Sequence, residues 1–293
     1  MIPTGGLEAS KVRETEGWIS LRKKSGAYDD PDLVTSLSLP YVDGGVWPHI
    51  ARMFDFALQE MDLRGDEIIL DIGAGQGWAC RYFAAKDCRA IAIDIDADEL
   101  YGLGKAWAIM EHAGVYFEPV LADGENLPFF SNKFDVVFFS AALHHFEEFG
   151  KVLRQAYKVL KPGGLIIGAG EPSVSVFTPE QEVQASLPEA QEGITERRPK
   201  AFEYWWCLRR VGFKATRIDT FETYNASPVE IYRWIAAVRR NLPPAVRLRY
   251  RPLIWLVLSF LLVFRVFPCE WAGLLTLHIN GGNLFMRAVK PTK

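Results

Sequence analysis

The residues of this chain best suited to chemistry begin with one short stretch, Asp71-Ile72-Gly73-Ala74-Gly75-Gln76-Gly77. Glycines at 73, 75 and 77 let the backbone turn sharply and approach a ligand without a Cβ in the way. The stretch leads into a segment that reads as a helix, whose first N–H groups have no internal partners and face the ligand. A dinucleotide fingerprint is spaced GxGxxG, with a pyrophosphate on the helix N-terminus. Here the spacing is GxGxG, and Trp78 fills the frame's third glycine position. Asp71 precedes the glycines; a carboxylate there repels a pyrophosphate and suits a cation. The bland alternative for the glycines alone is a tight structural turn. Asp94, at the end of the next apolar run, is the second candidate: an acidic side chain there can accept hydrogen bonds from both hydroxyls of a ribose. Asp96 competes, but its spacing to Glu99 is that of a helix cap. Further on, His144 and His145 have side chains whose pKa lies near neutrality, which suits proton transfer. His145 is preferred, and Glu171 is held in reserve. Capping or packing is the competing role for either histidine. His49, His112 and His278 show no partner pattern.

These residues need a scaffold that gathers them. From Trp47 the chain becomes periodic: Ile50, Met53, Phe54, Ala57, Leu58 and Met61 line one face of an amphipathic helix. Strands are then expected at 67–72, 89–95, 115–121, 134–140, 165–168, 214–221 and 282–290. Helices are expected from Gly77 to about Lys86, from Asp96 to about Ala113, through Phe149, Val152, Leu153, Ala156 and Leu160, and over 202–211. Continuously apolar strands alternating with helices predict a doubly wound α/β fold, a mostly parallel sheet of seven strands covered on both faces. Residues 47–223 with 276–293 form its domain. Residues 1–46, without sustained periodicity, read as an N-terminal cap or arm. Residues 224–275 read as a helical, hydrophobic insertion before the last strand. Its first helix opens with Ser227 as N-cap, Pro228 at the first position and Glu230 three residues after the cap. Residues 172–200, polar and carrying Pro172, Pro179, Pro188 and Pro199, are longer than an ordinary connection, which marks a functional or disordered loop.

Composition narrows the field. Formal net charge is −3, so no overall positive field draws the chain to nucleic acid. Cys80, Cys88, Cys207 and Cys269 form no CxxC pair and no cluster with histidine, so neither a disulfide framework nor a metal site is expected, and a reducing compartment fits. Residues 1–10 carry no apolar run, so no secretory signal is expected. The run Leu253–Phe264 is too short to span a bilayer. With Arg247, Arg249, Arg251 and Arg265 around it, the segment 247–267 reads either as a buried helix or as a membrane-surface contact.

Four stretches in order, Leu70–Gly77 (LDIGAGQG), Ile91–Asp96 (IAIDID), Ala122–Phe129 (ADGENLPF) and Leu160–Gly164 (LKPGG), resemble the class I S-adenosylmethionine-dependent methyltransferases, in particular the small-molecule group. The likeness is firm over 47–170 and looser over 202–222 and 282–290. It implies a Rossmann-like methyltransferase fold with S-adenosyl-L-methionine as cofactor. Asp71 and the backbone of Gly73, Ala74, Gly75 and Gly77 would hold the methionine part, Asp94 with Ile95 the ribose, and Asp123 with Gly124 and Glu125 the adenine. Ser140 would border the methyl group. A small, hydrophobic or lipid-linked acceptor follows from the aromatic-rich segments flanking the domain, with a cytoplasmic location, peripheral at the inner membrane face if the basic-flanked run meets lipid. Two other classes compete: a nicotinamide-dependent oxidoreductase, and a non-catalytic, membrane-associated protein that binds the same cofactor.

Overall fold

The computed structural model describes residues 9–24, 33–220, 273–274, 277–278 and 281–292. Among them, seven strands form one sheet: β1 (Ile68–Ile72), β2 (Arg89–Asp94), β3 (Glu118–Leu121), β4 (Phe134–Ser140), β5 (Leu160–Ser173), β6 (Lys214–Asp219) and β7 (Gly282–Val289), in the order β3-β2-β1-β4-β5-β7-β6. The pairs from β3 to β5 are parallel; β7 runs antiparallel between β5 and β6. The chain leaves β1 in one direction for β2 and β3, then returns to the other side of β1 for β4. In open α/β sheets, ligands bind in the crevice at such a reversal, beyond the carboxyl ends of the strands.

Both faces are buried, which is why the strands are apolar without alternation. Ile69 and Phe138 look toward α3 (Trp47–Met61) and α4 (Trp78–Ala84), packing with Met53, Phe54 and Phe83. Leu70 and Val137 look the other way, toward Val152 and Leu153 of α6 (Phe149–Val159) and Leu208 of α9 (Ala201–Val211). In α3, the expected face is the buried one except for Leu58, which is partly buried.

Three elements differ from expectation. The segment after Asp96 is not one capped helix. It folds back through a 3-10 turn at Leu103–Lys105 before α5 (Ala106–Ala113) begins. Asp96 accepts the Asp98 N–H at 2.9 Å instead of capping at Glu99. Glycines allow this: a Cβ on Gly102 or Gly104 would lie 2.5–2.9 Å from the backbone of 96–99. β5 is longer than its apolar run because it pairs with β4 on one side and along β7 on the other, through Ser173. Its register shifts at Gly170, where φ is +78°. The N-terminal arm holds α1 (Ala9–Lys24) and α2 (Leu33–Ser38). α1 lies so close to the 172–200 segment that a Cβ on Gly17 would sit 2.6 Å from the Glu192 carbonyl oxygen. That segment carries two short helices, α7 (Glu180–Ala185) and α8 (Pro188–Gln191). The helix expected from Ser227, the run Leu253–Phe264 and its flanking arginines lie outside the described residues. No described helix is long and apolar enough to cross a membrane.

Candidate active site

The glycine loop leaves β1 with φ of +72° at Gly73, +54° at Gly75 and +81° at Gly77. The Gly73 and Ala74 N–H groups donate to the Ile93 carbonyl at 2.9 and 3.0 Å. Next to them, Asp94 closes a clamp: Oδ2 accepts the Gly75 N–H at 2.7 Å and Oδ1 accepts the Asp96 N–H at 2.9 Å. One carboxylate thus joins the loop after β1 to the loop after β2. A carboxylate has about four acceptor sites, so acceptor capacity remains on Asp94 beyond its backbone contacts. Gly77 stands at the start of α4, where a Cβ would be 2.6 Å from the Phe117 ring; on Gly73 it would be 2.6 Å from the Ala142 Cβ. The Gly73, Ala74 and Gly75 N–H groups are paired within the protein, as is that of Gly77 with the Ala74 carbonyl, so the cradle fits a cofactor that needs a close backbone surface without Cβ atoms at one end and acceptor oxygens at its sugar.

A cavity opens over these strand ends. Of the residues singled out in the sequence, Gly73, Gly75, Asp94, Ile95, Asp96, Gly124 and His145 line it. The others lie behind or beside it. Ala74 and Gly77 shape the loop. Asp123 organises its own turn, accepting the Glu125 N–H at 2.9 Å and the Asn126 side chain at 3.2 Å. Glu125 faces Lys11 at 3.5 Å and Lys151 at 3.8 Å. Ser140, the last residue of β4, pairs in register with Ala169 and is off the cavity wall.

Asp71 is buried beneath the loop, with the Cys80 Sγ 3.8 Å from Oδ2, and not on the cavity wall. Burial, and then the neighbouring Asp94 charge, push its pKa up to about 8. Unfolded, it would ionise near 4. The folded chain therefore binds the extra proton between those values, and this group makes stability fall as pH rises toward 8. Asp71→Asn is expected to flatten that part of the stability–pH curve, read by denaturant melts from pH 5 to 8. A cation bound above the loop favours the carboxylate, so its affinity for wild-type protein should rise with pH over the same range and its dependence should vanish in the variant.

Glu171 and the two histidines have distinct places. The register shift at Gly170 aims Glu171 at the loop after β4; bulges commonly re-aim a side chain in this way. Its Oε1 accepts the Ala142 and Leu143 N–H groups at 2.9 and 3.0 Å. Its Oε2 accepts the His144 N–H at 3.2 Å and lies 2.9 Å from His144 Nδ1. With every oxygen engaged and no exposed surface, Glu171 is an anchor and not a reserve base. His144 is buried, which lowers its pKa, as does His145 beside it. His145 reaches the cavity. Its Nδ1 stands 3.0 Å from the Thr195 carbonyl and 3.0 Å from a Glu196 oxygen. Burial lowers its pKa, but the hydrogen bond and charge of Glu196 and the Thr195 carbonyl outweigh that and hold it above the ordinary value.

Sequence reasoning missed one wall. Lys11, Glu14, Trp18 and Arg22 of α1 line the cavity. Their spacing of three, four and four residues puts them on one helical face. The stripe is mostly charged, so a search for apolar periodicity passes over it. Trp18 meets the His145 ring edge-on at 5.2 Å, and Arg22 pairs with Asp96 at 3.1 Å. Burial pushes the Glu14 carboxyl up to about 7 against the opposing charge of Lys11.

Strand order and glycine cradle together define an α/β protein with a Rossmann-like methyltransferase fold. Residues 70–168 match the model of a methyltransferase domain, the domain of the class I S-adenosylmethionine-dependent methyltransferases. A mitochondrial arginine-hydroxylase, NDUFAF5, of Mus musculus is 26% identical over 231 residues, covering 75% of this chain and 61% of its own length. The chain thus spans less than two thirds of that relative. A demethylmenaquinone methyltransferase of Corynebacterium glutamicum is 27% identical over 175 residues, covering 58% of this chain and 69% of its own. Among solved structures, phosphoethanolamine N-methyltransferase 2 of Haemonchus contortus, in complex with S-adenosyl-L-methionine, has the same fold, with a TM-score of 0.56 at 16% identity over 99% of this chain and 61% of that one.

Proposed function

We propose that this chain transfers a methyl group from S-adenosyl-L-methionine to a small, hydrophobic or lipid-linked acceptor. One observation carries the reading: the Asp94 carboxylate, tied to the Gly75 N–H, opens on the same cavity as His145. The cofactor supplies a methyl carbon on a sulfonium, whose thioether leaves without needing an acid. What the chain must do is align and exclude water. Gly73 to Gly77 and Asp94 hold the two ends of the cofactor. Trp18 and Phe146 form apolar walls beside His145. With Nδ1 engaged by Thr195 and Glu196, His145 has Nε2 free to take a proton from an acceptor that must lose one. Support for an apolar acceptor comes from those walls and from the corynebacterial relative, whose name gives a quinone. The segment 247–267 is the part of the chain suited to a lipid surface, and pelleting with liposomes reads that contact.

Calorimetry with S-adenosyl-L-methionine and with NADH separates this reading from a nicotinamide enzyme. The former is expected to bind and NADH is not. Turnover with apolar acceptors separates it from a protein that only binds the cofactor. Asp94→Ala is expected to weaken cofactor binding by about 1–3 kcal/mol, the range for removing a partner from buried polar groups. Unchanged affinity in that variant places the ribose elsewhere and removes the basis of the reading.

A further inference from the structure

We propose that His144, His145 and Glu196 form a binding site for one divalent first-row transition metal ion at the edge of the cavity. The chain brings these residues together from two loops, and no ligand spacing in the sequence announces them. One atom from each, His144 and His145 nitrogens and a Glu196 oxygen, lies within 4.8 Å of the others. His144 Nε2 is 3.6 Å from Glu196 Oε1, and His145 Nδ1 is 3.0 Å from Glu196 Oε2. An ion with metal–ligand bonds of about 2.0–2.2 Å holds neighbouring ligand atoms roughly 3–3.4 Å apart; the two short distances run to different Glu196 oxygens, so the set closes when the side chains draw in from separations of up to 4.8 Å. Without an ion, His145 Nδ1 carries the proton that faces the Thr195 carbonyl at 3.0 Å, and an ion bound at Nδ1 displaces that proton to solvent.

The tautomer of His144 suits a cation there. Glu171 accepts three backbone N–H groups and, as a carboxylate, can only accept again, so His144 Nδ1 carries the proton that faces it at 2.9 Å. In the neutral ring Nε2 then has a lone pair, and it faces a carboxylate oxygen of Glu196. That oxygen also meets Arg198, and the Nε2 lone pair beside it has no donor of its own among the described contacts. The carboxylate–imidazole arrangement is also the one that orients a metal-bound histidine. Two carboxylates, Glu171 and Glu196, are buried here, and Arg198, 2.6 Å from Glu196, contributes one positive charge. Two imidazoles and one carboxylate suit Fe²⁺, Co²⁺ or Zn²⁺ better than Mg²⁺ or Ca²⁺. Because His145 lines the cavity, an ion on this set could hold an acceptor oxygen and lower its pKa. The inference rests on the methyltransferase reading of the cavity and changes one step in it: with the ion bound, His145 is a ligand and the metal takes over the activation of the acceptor.

The test uses the full chain without a histidine tag, stripped with chelator and titrated with Co²⁺, reading visible absorbance and bound metal. One equivalent with a ligand-field spectrum is expected. Affinity should fall at least tenfold in Glu196→Gln and in His144→Ala. Glu196→Gln keeps shape and volume, so it reports on the ligand if the histidine variant folds poorly. No stoichiometric Co²⁺, or equal binding by wild type and both variants, overturns the proposal and leaves a proton shared among these groups. Calorimetry with S-adenosyl-L-methionine on the stripped protein tells the two readings apart. Cofactor binding without metal binding sinks only the metal site; metal binding without cofactor binding sinks only the methyltransferase reading.

Discussion

Glu171→Ala is expected to cost about 3–5 kcal/mol of stability, because several buried donors lose their acceptor at once, at about 1–3 kcal/mol for each that stays unsatisfied. The side chain has no exposed surface and holds the Ala142, Leu143 and His144 N–H groups together with His144 Nδ1. Alanine leaves all of them buried beside an empty volume, and each unsatisfied donor costs about 1–3 kcal/mol where it cannot reach water. The loop after β4 carries His145, so lost order there also lowers turnover, but as a consequence. Denaturant melts with turnover measured per folded molecule distinguish anchor from base. A variant with native stability and no turnover would return Glu171 to the chemistry.

His145→Ala is expected to lower kcat by about 10²- to 10⁴-fold, the usual contribution of a positioned acid–base group, while cofactor affinity changes little. The ring lies on the cavity wall, and its Nδ1 is engaged by the Thr195 carbonyl and Glu196. Its contact with Trp18 adds a smaller structural cost, about 0.5–1.5 kcal/mol for such an aromatic pair, visible in the melt. The pH dependence has a definite sign. A base works unprotonated, and Glu196 and Thr195 hold this imidazole above its ordinary value against the lowering by burial. The wild-type rate should therefore climb with pH through a midpoint above 6.5, the unperturbed histidine value. If an ion occupies the His144–His145–Glu196 set, the same substitution removes a ligand and the loss of kcat stands, but added metal no longer restores turnover. A kcat within a few-fold of wild type would take His145 out of the reaction.

The parts of the fold that were legible in the sequence are those whose local signals agree with the tertiary outcome. The β1 run, the glycine loop and Asp94 announce themselves because parallel strands are apolar throughout and because a positive φ at Gly73, Gly75 and Gly77 needs glycine. Gly102 and Gly104 carried the opposite lesson. A cap spacing at Asp96 and Glu99 reads as a helix start, but those glycines let the chain fold back onto 96–99, and the turn takes the capping oxygen for Asp98. The role of Glu171 was hidden because it depends on a one-residue shift at Gly170, which only the pairing with β7 reveals. The wall from α1 was invisible for a different reason. Lys11, Glu14, Trp18 and Arg22 form a stripe whose purpose is set by the cavity opposite, and nothing within 9–24 states what that is. Glu196 likewise gains meaning only when the 172–200 segment brings it beside the histidine pair.

The most direct measurement is a crystal structure of this chain with S-adenosylhomocysteine. The ribose hydroxyls are predicted on the Asp94 carboxylate, the amino-acid end against the Gly73–Gly77 backbone, and the sulfur turned toward the space beside His145 and Trp18. A product bound elsewhere, or one whose sugar avoids Asp94 while the glycine loop stays bare, would contradict the account at its root.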